Sequence, residues 1–81
     1  MATQKLLLTS NWQFVSGGPV TVQLRYGTYA EVHVAASPPA NTEDAAHIIY
    51  ERVNADSFAY NGTDNVYGRS NDPRATLIYT G

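Results

Sequence analysis

Eighty-one residues make one small domain, and the absence of cysteine removes both disulfide staples and thiolate chemistry. Five basic and seven acidic residues, scattered without blocks, give a net charge of −2, which excludes the basic face of a duplex nucleic-acid binder. No run approaches the roughly 20 apolar residues of a membrane-spanning helix, and Lys5-Leu6-Leu7-Leu8 is too short for a signal-peptide core. The expectation is a protein without nucleic-acid or membrane partners. It would be made in the cytoplasm and stay there unless it leaves within a larger assembly.

Met1 to Gln4 is a polar start, expected to be mobile or bound to a neighbour. Lys5 to Val15 reads as one strand broken at Ser10-Asn11, with Trp12 as a core anchor beneath a sheet in preference to a ligand-stacking residue. Ser16-Gly17-Gly18-Pro19 is a turn. In Val20 to Tyr26 the alternation turns Val20, Val22, Leu24 and Tyr26 inward and Thr21, Gln23 and Arg25 outward. Gly27-Thr28 suits a two-residue hairpin link to Tyr29–Val34, where Ala30, Val32 and Val34 point inward and Tyr29, Glu31 and His33 outward.

Ala35 to Asp44 is the long connection, because Pro38-Pro39 lack the donors a central strand needs; Asn41 to Ala46 allow at most one helical turn. His47 to Val53 is apolar on both faces and reads as a central strand, closed by a turn at Asn54-Ala55-Asp56. The C-terminal third carries the strongest β signal. Ser57–Tyr60 and Val66–Ser70 flank the turn-forming Asn61-Gly62, and Arg74–Thr80 follows Asn71-Asp72-Pro73. Asn61-Gly62-Thr63 also matches a glycosylation acceptor, but turn chemistry accounts for it. About seven period-two runs with short links predict an all-β fold, a compact antiparallel β-sandwich or small barrel, as one domain over residues 1–81.

Little in the chain supports catalysis. His33 and His47 lie in different strands without an orienting partner, and a zinc site needs three or four ligands. Asp56, Asp64 and Asp72 sit in turns, where the carboxylate caps its own backbone, and Asn61, Asp64 and Asn65 lack calcium-loop spacing. No nucleophile elbow or phosphate-binding loop occurs, and a paired-carboxylate cleft needs more chain than this. The protein is therefore expected to be no enzyme and to need no cofactor or metal. Arg69, two residues after Tyr67, would stack on a ring or offer its fork to a carboxylate; otherwise it keeps a strand edge soluble.

An early Trp12, Gly17-Gly18, Val20 to Gln23, Val32 to Pro39 and Val66 to Ser70 follow one another in an order that covers Trp12 to Thr80. That order resembles small all-β bacteriophage virion structural proteins, the head decoration, cement and tail-associated modules. The resemblance implies a non-enzymatic protein located in the virion, bound to a phage capsid or tail protein; it transfers no site residue. Two alternatives remain: a tail or fibre module stacking host glycan on Trp12, Tyr29, Tyr60 or Tyr67, and a small inhibitory binding protein made during infection.

Small domains without staples gain missing burial by associating. Charged residues are only 15% of the chain, and six tyrosines offer contact area at low entropic cost, although tyrosine also favours strands on its own account. Apolar residues expected to face outward mark the interaction surface: Tyr29, Ile49, Tyr67 and Ile78, with Arg69 among them. A homo-oligomer follows, a trimer preferred because capsid lattices offer three-fold sites.

Overall fold

Every alternating run of the sequence becomes a strand in the computed structural model, which describes residues 3–50 and 57–81. The described residues form eight strands: β1 Thr3–Leu7, β2 Gln13–Gly17, β3 Val20–Tyr26, β4 Tyr29–Ala35, β5 His47–Tyr50, β6 Ser57–Tyr60, β7 Asn65–Arg69 and β8 Thr76–Thr80. They form two four-stranded sheets, sheet I in the order β1-β8-β3-β6 and sheet II in the order β2-β7-β4-β5. All six pairings are antiparallel. The fold is an all-β sandwich, as the alternation predicts.

The pairing has a simple logic. β1 pairs with β8, β2 with β7, β3 with β6 and β4 with β5, so the first half of the chain meets the second half in reverse order. This is one long hairpin with its tip between β4 and β5. Rolling it brings β8 beside β3 and β7 beside β4. The result is the eight-stranded connectivity of a jelly roll, two Greek keys interleaved.

Two expected hairpins are absent for this reason. β3 and β4, joined by Gly27-Thr28, lie in opposite sheets, as do β6 and β7 on either side of Asn61-Gly62. Alternation along β3 and β4 is satisfied equally by neighbours in one sheet or by partners across a core. The second arrangement brings Val20, Val22 and Leu24 into one core with Ala30 and Val32, and all five are buried. Gly27 makes the corner possible. Its φ of 92° is a left-handed conformation, and a Cβ there would stand 2.7 Å from the Cα of Ala75.

The core combines Val22, Leu24 and Leu77 from sheet I with Val15, Val32, Ile49 and Val66 from sheet II. Burying each such side chain stabilises the fold by about 1.5–3 kcal/mol before entropy is counted. Both ends are tied by polar links. At one, Ser70 Oγ donates to the Tyr29 carbonyl, the Ser70 amide donates to the Thr9 carbonyl, and Asp72 receives Thr28. At the other, Tyr60 seats its ring where a Cβ on Gly62 would collide with it, and its hydroxyl accepts from the Asp64 amide at 3.1 Å.

Several expectations are corrected. Of the expected Met1–Gln4 arm, Thr3 and Gln4 belong to β1, paired with Thr80 and Tyr79, while Met1 and Ala2 lie outside the described residues. Lys5 to Val15 is two strands on different sheets, because the chain crosses between sheets near Ser10-Asn11. Tyr26 is 55% exposed, because a register shift between Leu24 and Tyr26 turns it out of the alternation. The described part of the predicted His47–Val53 strand, His47–Tyr50, is a sheet edge in which only Ile49 is buried. The remainder of that run and the turn at Asn54-Ala55-Asp56 lie outside the described residues.

Candidate functional site

The two outer faces of the sandwich differ in what covers them. On sheet II the outward residues of β4 are Tyr29, Glu31 and His33, and β7 adds Tyr67 and Arg69 in register with His33 and Glu31. The β4–β5 connection, residues 36–46, folds back over this face as a strap. Four side chains hold it through its own carbonyls. Arg69 donates from Nη1 to Asn41 O at 2.8 Å and from Nη2 to Glu43 O at 2.8 Å. Trp12 Nε1 donates to Glu43 O at 3.4 Å, His33 Nδ1 to Ala45 O at 2.6 Å, and Asn65 Nδ2 to Ala36 O at 3.4 Å. Because a carbonyl only accepts, His33 carries its proton on Nδ1 in this bond.

Arg69 is the centre of this arrangement. Its Nη2 lies 3.2 Å from Glu31 Oε1, with the two side chains 13% and 18% exposed. Its guanidinium carbon sits 4.2 Å from the centroid of the Trp12 ring, within cation–π range. Trp12 in turn leans on His33, with ring centroids 5.5 Å apart. Arg69 Nε is buried without a partner among the described residues. The sequence offers stacking or a carboxylate as alternatives for Arg69, and the fold supplies both, with Trp12 as the ring in place of Tyr67.

Among the described residues no strap lies over the outer face of sheet I. Two of its rows run across all four strands, Thr3, Thr80, Thr21 and Ala59, then Lys5, Ile78, Gln23 and Ser57, and a third, Leu7, Thr76 and Tyr26, crosses three. The hydroxyls of Thr3 and Thr80 lie 2.8 Å apart. Leu7 is 58% exposed, and Arg25 rests over the Tyr26 ring at 5.0 Å. The face is broad, hydroxyl-rich and nearly free of charge.

The residues proposed for contact do not converge on one surface. Ile78 stands half-buried in the middle of the sheet I face. Tyr29 is half-buried on sheet II, with its hydroxyl accepting from the Asn71 amide at 3.1 Å. Tyr67 faces outward but is only 3% exposed, with Phe14 edge-on at 6.0 Å. Ile49 is 1% exposed; its pairing with Ala30 turns it into the core, so the outward placement is corrected. Trp12 is no core anchor either. It is half-buried on the outer side of sheet II beside Arg69, because the break at Ser10-Asn11 carries it out of the alternation.

Chemistry elsewhere is sparse. His33 and His47 meet at an open pocket of about 330 Å³, lined also by Val32, Val34, Ala45 and Ala46. Among the described residues no third ligating side chain joins them. His47 packs its ring on Phe58 at 4.9 Å. Asp72 has its carboxyl held below the usual carboxylate range, first by the Arg74 amide donating to Oδ1 and then by the Thr28 amide donating to Oδ2. This is the turn capping read from the sequence, with a long-range tie to the Gly27-Thr28 corner added. No family model matches the chain, and neither a curated protein nor a solved structure matches it.

Proposed function

We propose that the chain is a non-enzymatic virion structural module, a capsid decoration or cement protein that associates with copies of itself and docks on a phage capsid or tail protein. The observation that carries this reading is the outer face of sheet I. It spans four strands, presents hydroxyl and apolar groups with little charge, and has no segment of the described chain lying over it. Charge depletion with exposed Leu and Tyr suits a surface that meets protein. Jelly-roll connectivity occurs in viral capsid domains and also in lectins, so the fold alone carries less weight than the face. The glycan alternative has weaker support, since Tyr29 and Tyr60 accept hydrogen bonds within the fold and Arg69 occupies a face of Trp12. A homotrimer is the preferred assembly.

Ile78→Glu tests the assignment, because Ile78 lies at the middle of the face and is only half-buried. Sedimentation velocity should show a smaller species than the wild type, while the unfolding free energy changes by about 1 kcal/mol or less. Wild-type protein that stays monomeric at high concentration and is absent from purified virions by mass spectrometry would overturn the proposal.

A further inference from the structure

The main-chain nitrogen that follows an asparagine can attack that asparagine's own Cγ. Attack needs a free amide, little bulk on the following residue, and a chain exposed enough to bend into a ring. Most asparagines among the described residues fail one of these conditions. Asn11 is followed by Trp12, and Asn41 by the β-branched Thr42. Asn65 is held in β7 with its Nδ2 donating to Ala36 O, and Val66 follows it. Asn71 is exposed, but the Asp72 amide that would attack already donates to Ser70 Oγ at 3.1 Å. Asn61 meets all of them. It is exposed in the link between β6 and β7, and Gly62 follows it. Among the described residues neither its side chain nor the Gly62 amide has a hydrogen-bond partner.

From this we infer that Asn61 is a self-modifying site, deamidated by the backbone amide of Gly62. That amide loses its proton to solvent base, and its nitrogen bonds to Asn61 Cγ. The Cγ–Nδ2 bond breaks and ammonia leaves. Water then opens the cyclic imide at either carbonyl, giving aspartate or isoaspartate, so the net change is amide plus water to carboxylate plus ammonium. The fold itself maintains the reactive pair. The Tyr60 ring is seated between Gly18 and Gly62, where a Cβ on either glycine would collide with it. Glycine is therefore held at the position that leaves the attacking nitrogen unhindered. The product forms in a link that ties one end of the sandwich together. There the Tyr60 hydroxyl accepts from the Asp64 amide, and the Asp64 carbonyl accepts from the Gly18 amide at 2.9 Å. Isoaspartate threads an extra methylene into the main chain of this link, and either product adds an anion beside Asp64 in the same link.

The test is to age the purified full chain in mildly alkaline buffer, map its peptides by mass spectrometry, and label isoaspartate with an isoaspartyl methyltransferase. Asn61 should lose its amide about tenfold faster than Asn11, Asn41, Asn65 or Asn71, a difference of ~1.4 kcal/mol in barrier. The rate should rise with pH, because the attacking amide must first lose its proton. Asn61→Gln needs a larger ring for the same attack and should keep its side-chain amide, while folding like the wild type because the side chain is exposed. Ageing should lower the unfolding midpoint of the wild type and leave that of Asn61→Gln unchanged. An Asn61 peptide that keeps its amide, or loses it no faster than Asn71, overturns the site. Isoaspartate accumulating at position 61 with an unchanged midpoint overturns its coupling to the Tyr60 link.

Discussion

Replacing Arg69 with alanine should destabilise the whole fold through the strap. The side chain donates two charge-assisted hydrogen bonds to strap carbonyls, each of about 1.5–3 kcal/mol. Stacking on Trp12 adds about 0.5–2 kcal/mol. Removing Arg69 also leaves Glu31 mostly out of water without its cation. Against these stands the cost of burying a guanidinium whose Nε finds no partner, which the variant escapes. The contributions share one side chain and are not additive, so the net loss is about 2–4 kcal/mol. For a domain of this size that is a fall in melting temperature of about 10–30 °C. Arg69→Lys keeps the charge but has no planar fork and should recover less than half of the loss. Urea unfolding measures the stability, and hydrogen exchange of residues 36–46 reports whether the strap opens first. A loss below about 1 kcal/mol with unchanged exchange would refute the strap's dependence on Arg69.

Gly27→Ala should cost about 3 kcal/mol or more, since an alanine must adopt φ near 92° and press on the Ala75 backbone; a urea midpoint close to wild type would show that the corner relaxes freely. Asp72 makes stability fall with acid. Its folded pKa is depressed, so its contribution is complete above the unfolded carboxylate pKa and is lost as pH falls through the folded value. The difference in melting temperature between wild type and Asp72→Asn should therefore shrink in acid, and parallel curves would sink the assignment. Tyr67→Ser should lower stability rather than association, because Tyr67 is buried with Phe14 edge-on against it; unfolding and sedimentation measured together decide between the two.

Strand identity was determined locally. Alternation in Val20–Tyr26 and Tyr29–Ala35 is a property of each run, so Val22, Leu24, Ala30 and Val32 could be assigned to a core before any partner was known. Gly27, Asn61-Gly62 and Asn71-Asp72-Pro73 likewise marked where the chain reverses. What a reversing residue cannot say is whether the next strand lies beside the last or across from it, and that choice decided both absent hairpins. It depends on which apolar faces cover one another, a relation between segments as distant as β1 and β8. The Arg69 arrangement was hidden for the same reason. Arg69 and its partners Trp12, Glu31, Asn41 and Glu43 come from four separate segments, and they meet only after rolling sets β7 beside β4 and the strap folds over both. Ile49 was misplaced because both of its neighbours are also apolar or aromatic, which leaves the phase of the alternation open. Pairing with Ala30 settled it, turning Ile49 into the core and leaving Ile48 and Tyr50 outside.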